Sequence, residues 1–259
     1  MHVYSLLIAF LNTAVLSLAA FLHASPDAAA KPAVLVELFT SEGCSSCPPA
    51  DALLAELDRR KSFAGAPIVV LSEHVDYWDH DGWRDPFSSA VWTQRQNLYG
   101  DRFHLDSVYT PQMVIDGTQQ LVGSNGLQVS QALEKAAGQQ DKVTLAITNA
   151  TWSDDALQAT VSVTNIPAAA MKGVNLYAVL ADDADTSSVS RGENSGRTLQ
   201  HVAVVRVMRK VGNLQGPYNG QVQISLPHGT AHAKMRLILF AQKGDNGQVF
   251  GATEREVAD

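Results

Sequence analysis

Ala33-Val-Leu-Val-Glu-Leu-Phe-Thr-Ser-Glu-Gly-Cys-Ser-Ser-Cys-Pro-Pro-Ala-Asp51 is the stretch on which the reading of this chain turns. Its first eight residues are an apolar run rich in strand formers, bounded by Pro32 and by the Ser41 to Gly43 turn, which suits a buried strand. Beyond it, Pro48 and Pro49 suit a first helical turn and Leu53, Leu54 and Leu57 recur at helical spacing, while Arg59, Arg60 and Lys61 complement a helix C-terminus. Cys44 and Cys47 therefore fall between a strand and a helix. A helix N-terminus favours a thiolate, and two intervening residues let the sulfurs reach bonding range. Cys44 is then the expected nucleophile and Cys47 the thiol that resolves its mixed disulfide.

These are the only two cysteines of the chain. A disulfide between them closes almost no loop, so it restricts the unfolded chain little and stability is a poor reason for it. Two other readings compete: an inert structural disulfide, and a metal site, which would need further ligands such as His74 and His80 for zinc, or a histidine beside the soft thiolates for Cu(I).

Upstream, residues 6–22 are almost wholly apolar and lead into small residues that suit a cleavage site, so 1–30 reads as an export signal, with an uncleaved membrane anchor as the alternative because no Lys or Arg precedes the apolar run. Export places the cysteines where a disulfide persists, and the expected location is secreted or periplasmic. No later segment is long and apolar enough to span a membrane.

Downstream, 67–72 gives a second buried strand, joined to the first by a parallel crossover. The polar, aromatic segment His74 to Asp85 suits a capped, turn-rich loop whose aromatics pack on the sheet, but it follows the C-terminal end of that strand, where ligands gather in α/β sheets, so His74 and Trp78 are also candidate substrate contacts. A helix is expected next, with Asp85 as N-cap and Phe87, Val91 and Leu98 on one face. Asp116-Gly117 marks a hairpin between 112–116 and 119–122, and a helix follows over 127–137. From 141 onward, runs of alternating residues read as six or seven short strands of a sandwich, with a long polar loop from Asp182 to Arg197. The expected organisation is an α/β domain with a helical insertion over 31–140 and an all-β, sandwich-like domain over 141–259.

A formal net charge of -7 and a pI near 5.6 give no basic surface for phosphates and argue against nucleic acid as a partner.

The Cys-x-x-Cys pair together with Thr110-Pro111 and Glu37 resembles the thioredoxin superfamily, and the strings 37–51, 74–79, 82–88, 109–113 and 196–201 are similar to those of a secreted thioredoxin-like family catalogued as domain of unknown function 1223. The resemblance implies a thioredoxin-like first domain. It also implies a cis Pro111 that, with Thr110, holds substrate backbone beside Cys44, and a buried Glu37 that exchanges a proton with Cys47. Glu37 read from its strand alone serves equally as the partner of a buried arginine. The function expected is an exported thiol-disulfide oxidoreductase acting on protein or small-molecule thiols and disulfides, with no cofactor or resident metal. Its rivals are a copper or zinc carrier and a non-catalytic interaction module.

Overall fold

The structure, a computed structural model, describes residues 31–170, 172–227 and 234–258. The expected export segment, 1–30, lies outside them. Strand β1 (Val34–Thr40) is buried along its whole length because it is flanked on both sides, by β3 (Ala66–His74) in parallel and by β4 (Gln112–Ile115) antiparallel. Helix α1 (Pro48–Arg60) makes the crossover between β1 and β3 and ends at Lys61 in the left-handed conformation. A short β2 (Ser62–Phe63) pairs with the start of β3. Strand β4 turns at Asp116 and Gly117, both with positive φ, into β5 (Gln119–Val122), and α3 (Gly126–Ala137) follows.

The remaining strands are β6 (Thr144–Ser153), β7 (Ala156–Thr164), β8 (Val174–Ser188), β9 (Thr198–Leu214), β10 (Tyr218–Ser225), β11 (Lys234–Lys243) and β12 (Val249–Ala258). They do not form a separate sandwich. Strand β9 pairs in parallel with β3 through Ser72 and Val204, so one nine-stranded mixed sheet runs β12-β11-β8-β9-β3-β1-β4-β5, with β2 on β3. Only β10, β7 and β6 form a second, three-stranded sheet.

The expected class, a thioredoxin-like α/β domain followed by an all-β sandwich, is thereby overturned: three helices stand against twelve strands among the described residues, and strands from both halves share one sheet. The physical reason is that period-two alternation reports a half-buried strand without reporting its neighbours. Length misled as well. The polar tract 182–188, which resembles a loop, continues β8 to 15 residues, paired through Ser188 with a 17-residue β9.

Helix α2 (Ala90–Phe103) also departs from expectation. Its N-cap is Ser89, whose hydroxyl accepts from Val91 N, and its buried face carries Trp92, Arg95, Gln96 and Tyr99. Val91 and Leu98 are 57% and 37% exposed. Polar groups occupy the inside of this helix because they bond to the sheet beneath.

Candidate functional site

The cysteine pair sits where β1 gives way to α1. Cys44 N donates to Ser41 O at 3.2 Å and Cys47 N to Cys44 O at 3.2 Å, two tight turns that end in the N-cap residue Cys47. The sulfurs are joined as a disulfide. Pro48 and Pro49 have no amide hydrogen to offer, and the next two amides, of Ala50 and Asp51, donate to Cys47 O. The helix N-terminus still faces the pair, but the amides of Cys44, Ser45 and Cys47 in the turn are engaged by Ser41 O, Glu193 and Cys44 O. Ser46 Oγ lies 3.4 Å from Cys44 Sγ and donates, since a disulfide sulfur carries no proton. Both cysteines are 0% exposed.

Pro111, in a cis peptide bond with Thr110, lies beside the first turn of α1: a Cβ added at Gly123 would meet Leu38, Ala50 and Pro111 together. Trp78 links this corner to the cysteine turn. Its indole Nε1 donates to Thr110 Oγ1 at 2.9 Å, and its Cβ packs so closely on Gly43 that a side chain there would collide at 2.8 Å. Cys44, Cys47, Pro111, Thr110 and Trp78 are thus gathered at one end of the sheet.

Glu37 is placed elsewhere. It points from β1 toward α2, where Arg95 Nε donates to it at 2.7 Å and Tyr99 OH at 2.6 Å. Glu73, on the neighbouring strand, shares the arginine at 3.5 Å, and burial together with the charge of Glu37 pushes its carboxyl well above the usual range. Arg95 also donates to Gln242 Oε1 and lies over the Phe240 ring, so this buried network ties α2 to β11.

His74 is buried too, in a second polar cluster directly behind the cysteine turn. Its Nδ1 is 2.7 Å from Asp85 Oδ2, which also accepts from Glu42 N at 2.8 Å. Burial disfavours charge on both, yet each favours the other's, so the His74 pKa is raised and the Asp85 pKa lowered. The residue expected to cap a helix holds a histidine with one carboxylate oxygen and closes a local turn at Phe87 N with the other. Glu42 accepts from Trp83 Nε1 at 2.8 Å and Ser187 Oγ at 3.1 Å and meets His201 Nε2 at 3.2 Å; the His201 ring packs edge-on against that of His74. His80 is exposed while His74 is buried, and among the described residues no group of three His, Cys, Asp or Glu is arranged to hold a metal ion.

Several residues here escaped the reading of the sequence. Asp51 N donates to Cys47 O at 3.1 Å, the bond that sets the two side chains one turn apart on one face of α1. Its carboxylate accepts from Thr40 Oγ1 at 2.8 Å, and the residue lines a cleft of ≈ 240 Å³ with Pro48, Ala52, Thr198, Leu199 and Gln200. Burial outweighs the help of His201, His74 and Thr40 and raises its pKa. The turn joining β8 to β9, residues 189–197, lies over the cysteines: Asn194 Nδ2 donates to Glu42 O and Cys44 O, and Glu193 Oε2 accepts from Ser45 N. Asp51 and His201 were visible as polar residues inside the quoted strings 37–51 and 196–201; nothing local marks Glu193 or Asn194.

A family model described as "Protein of unknown function (DUF1223)" matches residues 35–242. Among curated proteins none matches. The crystal structure of a protein from Agrobacterium tumefaciens is similar at 26% identity with a TM-score of 0.64, covering 85% of this chain and 92% of that one. HBP35 of Porphyromonas gingivalis shares the fold at 14% identity and a TM-score of 0.59, over 87% of this chain and 75% of its own.

Proposed function

This chain belongs to the DUF1223 family, whose description names no activity, and from the site itself we propose that it is an exported thiol-disulfide oxidoreductase working through Cys44 and Cys47. The observation that carries the reading is the placing of a closed Cys-x-x-Cys pair between a strand and a helix N-terminus, beside cis Pro111 and one turn from a buried carboxyl. The same grouping of pair and proline is what likens the site to those of the thioredoxin superfamily.

In the reducing direction the Cys44 thiolate attacks one sulfur of a substrate disulfide and expels the other as a thiolate. Cys47 then gives up its proton and attacks Cys44 Sγ, closing the pair and releasing the second substrate thiolate. Each turnover converts one substrate disulfide to two thiols and oxidises one dithiol. Asp51 is the group we assign to take the Cys47 proton, because it shares the helix face and lines the cleft beside it. Glu37 is engaged by Arg95 and Tyr99, and we assign it to holding α2. Thr110 and Pro111 bind substrate backbone, Trp78 positions them, and His74 acts from behind through Asp85 and Glu42.

The test is equilibration of the folded protein with glutathione buffers, counting free thiols by alkylation and mass. A dithiol-disulfide transition with circular dichroism unchanged is expected; a disulfide that opens only when the chain unfolds sinks the proposal.

Asp51→Asn gives a separate prediction. A carboxyl whose folded pKa is raised contributes stability fully present below its unfolded value of 3.8 and lost as pH rises through the folded value. Asparagine imitates the protonated acid at every pH. The variant is expected to melt above the wild type at pH 7, to lose that advantage at pH 3, and to show a flattened pH dependence of thiol-disulfide exchange.

A further inference from the structure

We infer that the 189–197 turn occupies the place of a polypeptide thiol that exchanges with the closed Cys44–Cys47 pair, the reverse of the reducing direction, and that Glu193 and Asn194 determine which thiols reach Cys44. The inference rests on the redox reading above and deepens it. Exchange requires an attacking sulfur to approach nearly along the S–S axis, and Cys44, at 0% exposure, offers no such approach in the closed state.

What covers the turn has the hydrogen-bonding character of a peptide. The carboxamide of Asn194, itself fully buried, donates to Glu42 O at 2.8 Å and to Cys44 O at 3.0 Å. The Glu193 carboxylate accepts from Ser45 N at 3.1 Å. One donor for the carbonyls and one acceptor for the amide are what an extended polypeptide flanking a cysteine supplies through its own N–H and C=O. A thiol without peptide groups supplies neither. Glu193 also takes up the amide next to Cys44, where it would otherwise be free to stabilise a thiolate.

The covering segment is built to leave as a unit. Gly196 N donates to Val189 O, Val189 N to Arg197 O, Ser195 N to Gly192 O and Ser195 Oγ to Ser190 O, so it holds its own shape. Gly192, with φ +73°, lies against Trp83 and the Asp81 carbonyl, where a side chain would be 3.1–3.2 Å from its neighbours. Asn194 Oδ1 is buried with no partner, so the closed state forgoes a hydrogen bond that water restores on opening.

The experiment follows reduction of the Cys44–Cys47 disulfide in the full folded chain by dithiothreitol and by an unstructured peptide carrying one cysteine, read by alkylation and mass. The variants are Asn194→Ala and, because the exposed Glu193 leaves folding undisturbed, Glu193→Ala. In the wild type the peptide reacts faster than its thiol pKa alone accounts for relative to dithiothreitol. Loss of one covering hydrogen bond raises the dithiothreitol rate about tenfold and narrows the peptide's advantage. If wild type and both variants are reduced at the same rates, the cover plays no part and the inference is wrong while the redox reading stands. If none is reduced while folded, both fail. A variant faster with dithiothreitol in a wild type that shows no peptide preference overturns the assignment of a polypeptide substrate.

Discussion

Arg95→Met is expected to cost about 3–5 kcal/mol of folding stability, the usual penalty for leaving a buried charge without its partner. Methionine keeps the volume of the aliphatic stem but removes the guanidinium that lies over the Tyr99 and Phe240 rings, so lost packing is the smaller part. The larger part is electrostatic. Glu37 and Glu73, both 0% exposed, would face each other with only Tyr99 OH donating to Glu37, and Gln242 Oε1 would lose the guanidinium. Glu73, whose carboxyl burial and Glu37 already hold well above the usual range, would also lose the guanidinium that opposes them, so the variant should regain stability as pH falls from 7 toward the unfolded value of 4.5. Urea unfolding at the two pH values measures this, and Glu37→Gln added to Arg95→Met should recover part of the loss. A single variant within about 1 kcal/mol of wild type at pH 7 would contradict the network's importance.

Lys142→Met should cost a similar amount, about 3–5 kcal/mol, for a related reason. Lys142 Nζ donates to Asp116 Oδ2 at 2.7 Å and to Ala33 O at 2.8 Å, with both side chains buried. Asp116 is more than a hairpin residue: its Oδ1 accepts from Leu35 N, its own N donates to Leu35 O, and its O accepts from Val249 N. Burial raises its pKa even with the ammonium beside it, so removing Lys142 strands a carboxylate on the residue that ties the β4–β5 turn to β1 through its side chain and backbone and to β12 through its backbone carbonyl. Asp116→Asn in the same chain needs no counter-charge, and asparagine tolerates the φ of 47° at this position. The double variant should therefore be more stable than Lys142→Met alone in urea titrations. Equal stability would show that the ion pair is not the source of the cost.

The parts of the fold that were legible carry their signals locally. An apolar run ending at a turn marked β1, two prolines and three leucines marked α1, and Asp116-Gly117 marked the hairpin that its positive φ values confirm. The cysteines, Thr110-Pro111 and Trp78 likewise lie in short recognisable strings, and the structure gathers them at one end of the sheet. What was not legible depends on distant partners. The inside of α2 is polar because Arg95 answers a glutamate 58 residues away, so the exposed Val91 and Leu98 gave the apolar period and named the wrong face. Asp85 had every mark of a helix cap and its Oδ1 does accept from Phe87 N, yet the turn it closes stops short of α2, and its Oδ2 goes to His74 and Glu42 N. Which sheet β9 joins hangs on its pairing with β3, for which alternation along either strand contains no information.

The segment over the cysteines lies about 150 residues beyond them in the chain. During synthesis, therefore, Cys44 and Cys47 emerge long before anything exists to conceal them, and pairing between residues three apart needs no completed fold. Under the proposed export, the thiols of the growing chain meet an oxidant openly, and the arrival of β8 and β9 then withdraws them from it. Maturation of this protein should thus appear, in pulse-labelled cells, as an early loss of alkylatable thiol followed by a later rise in resistance of the same bond to reductant.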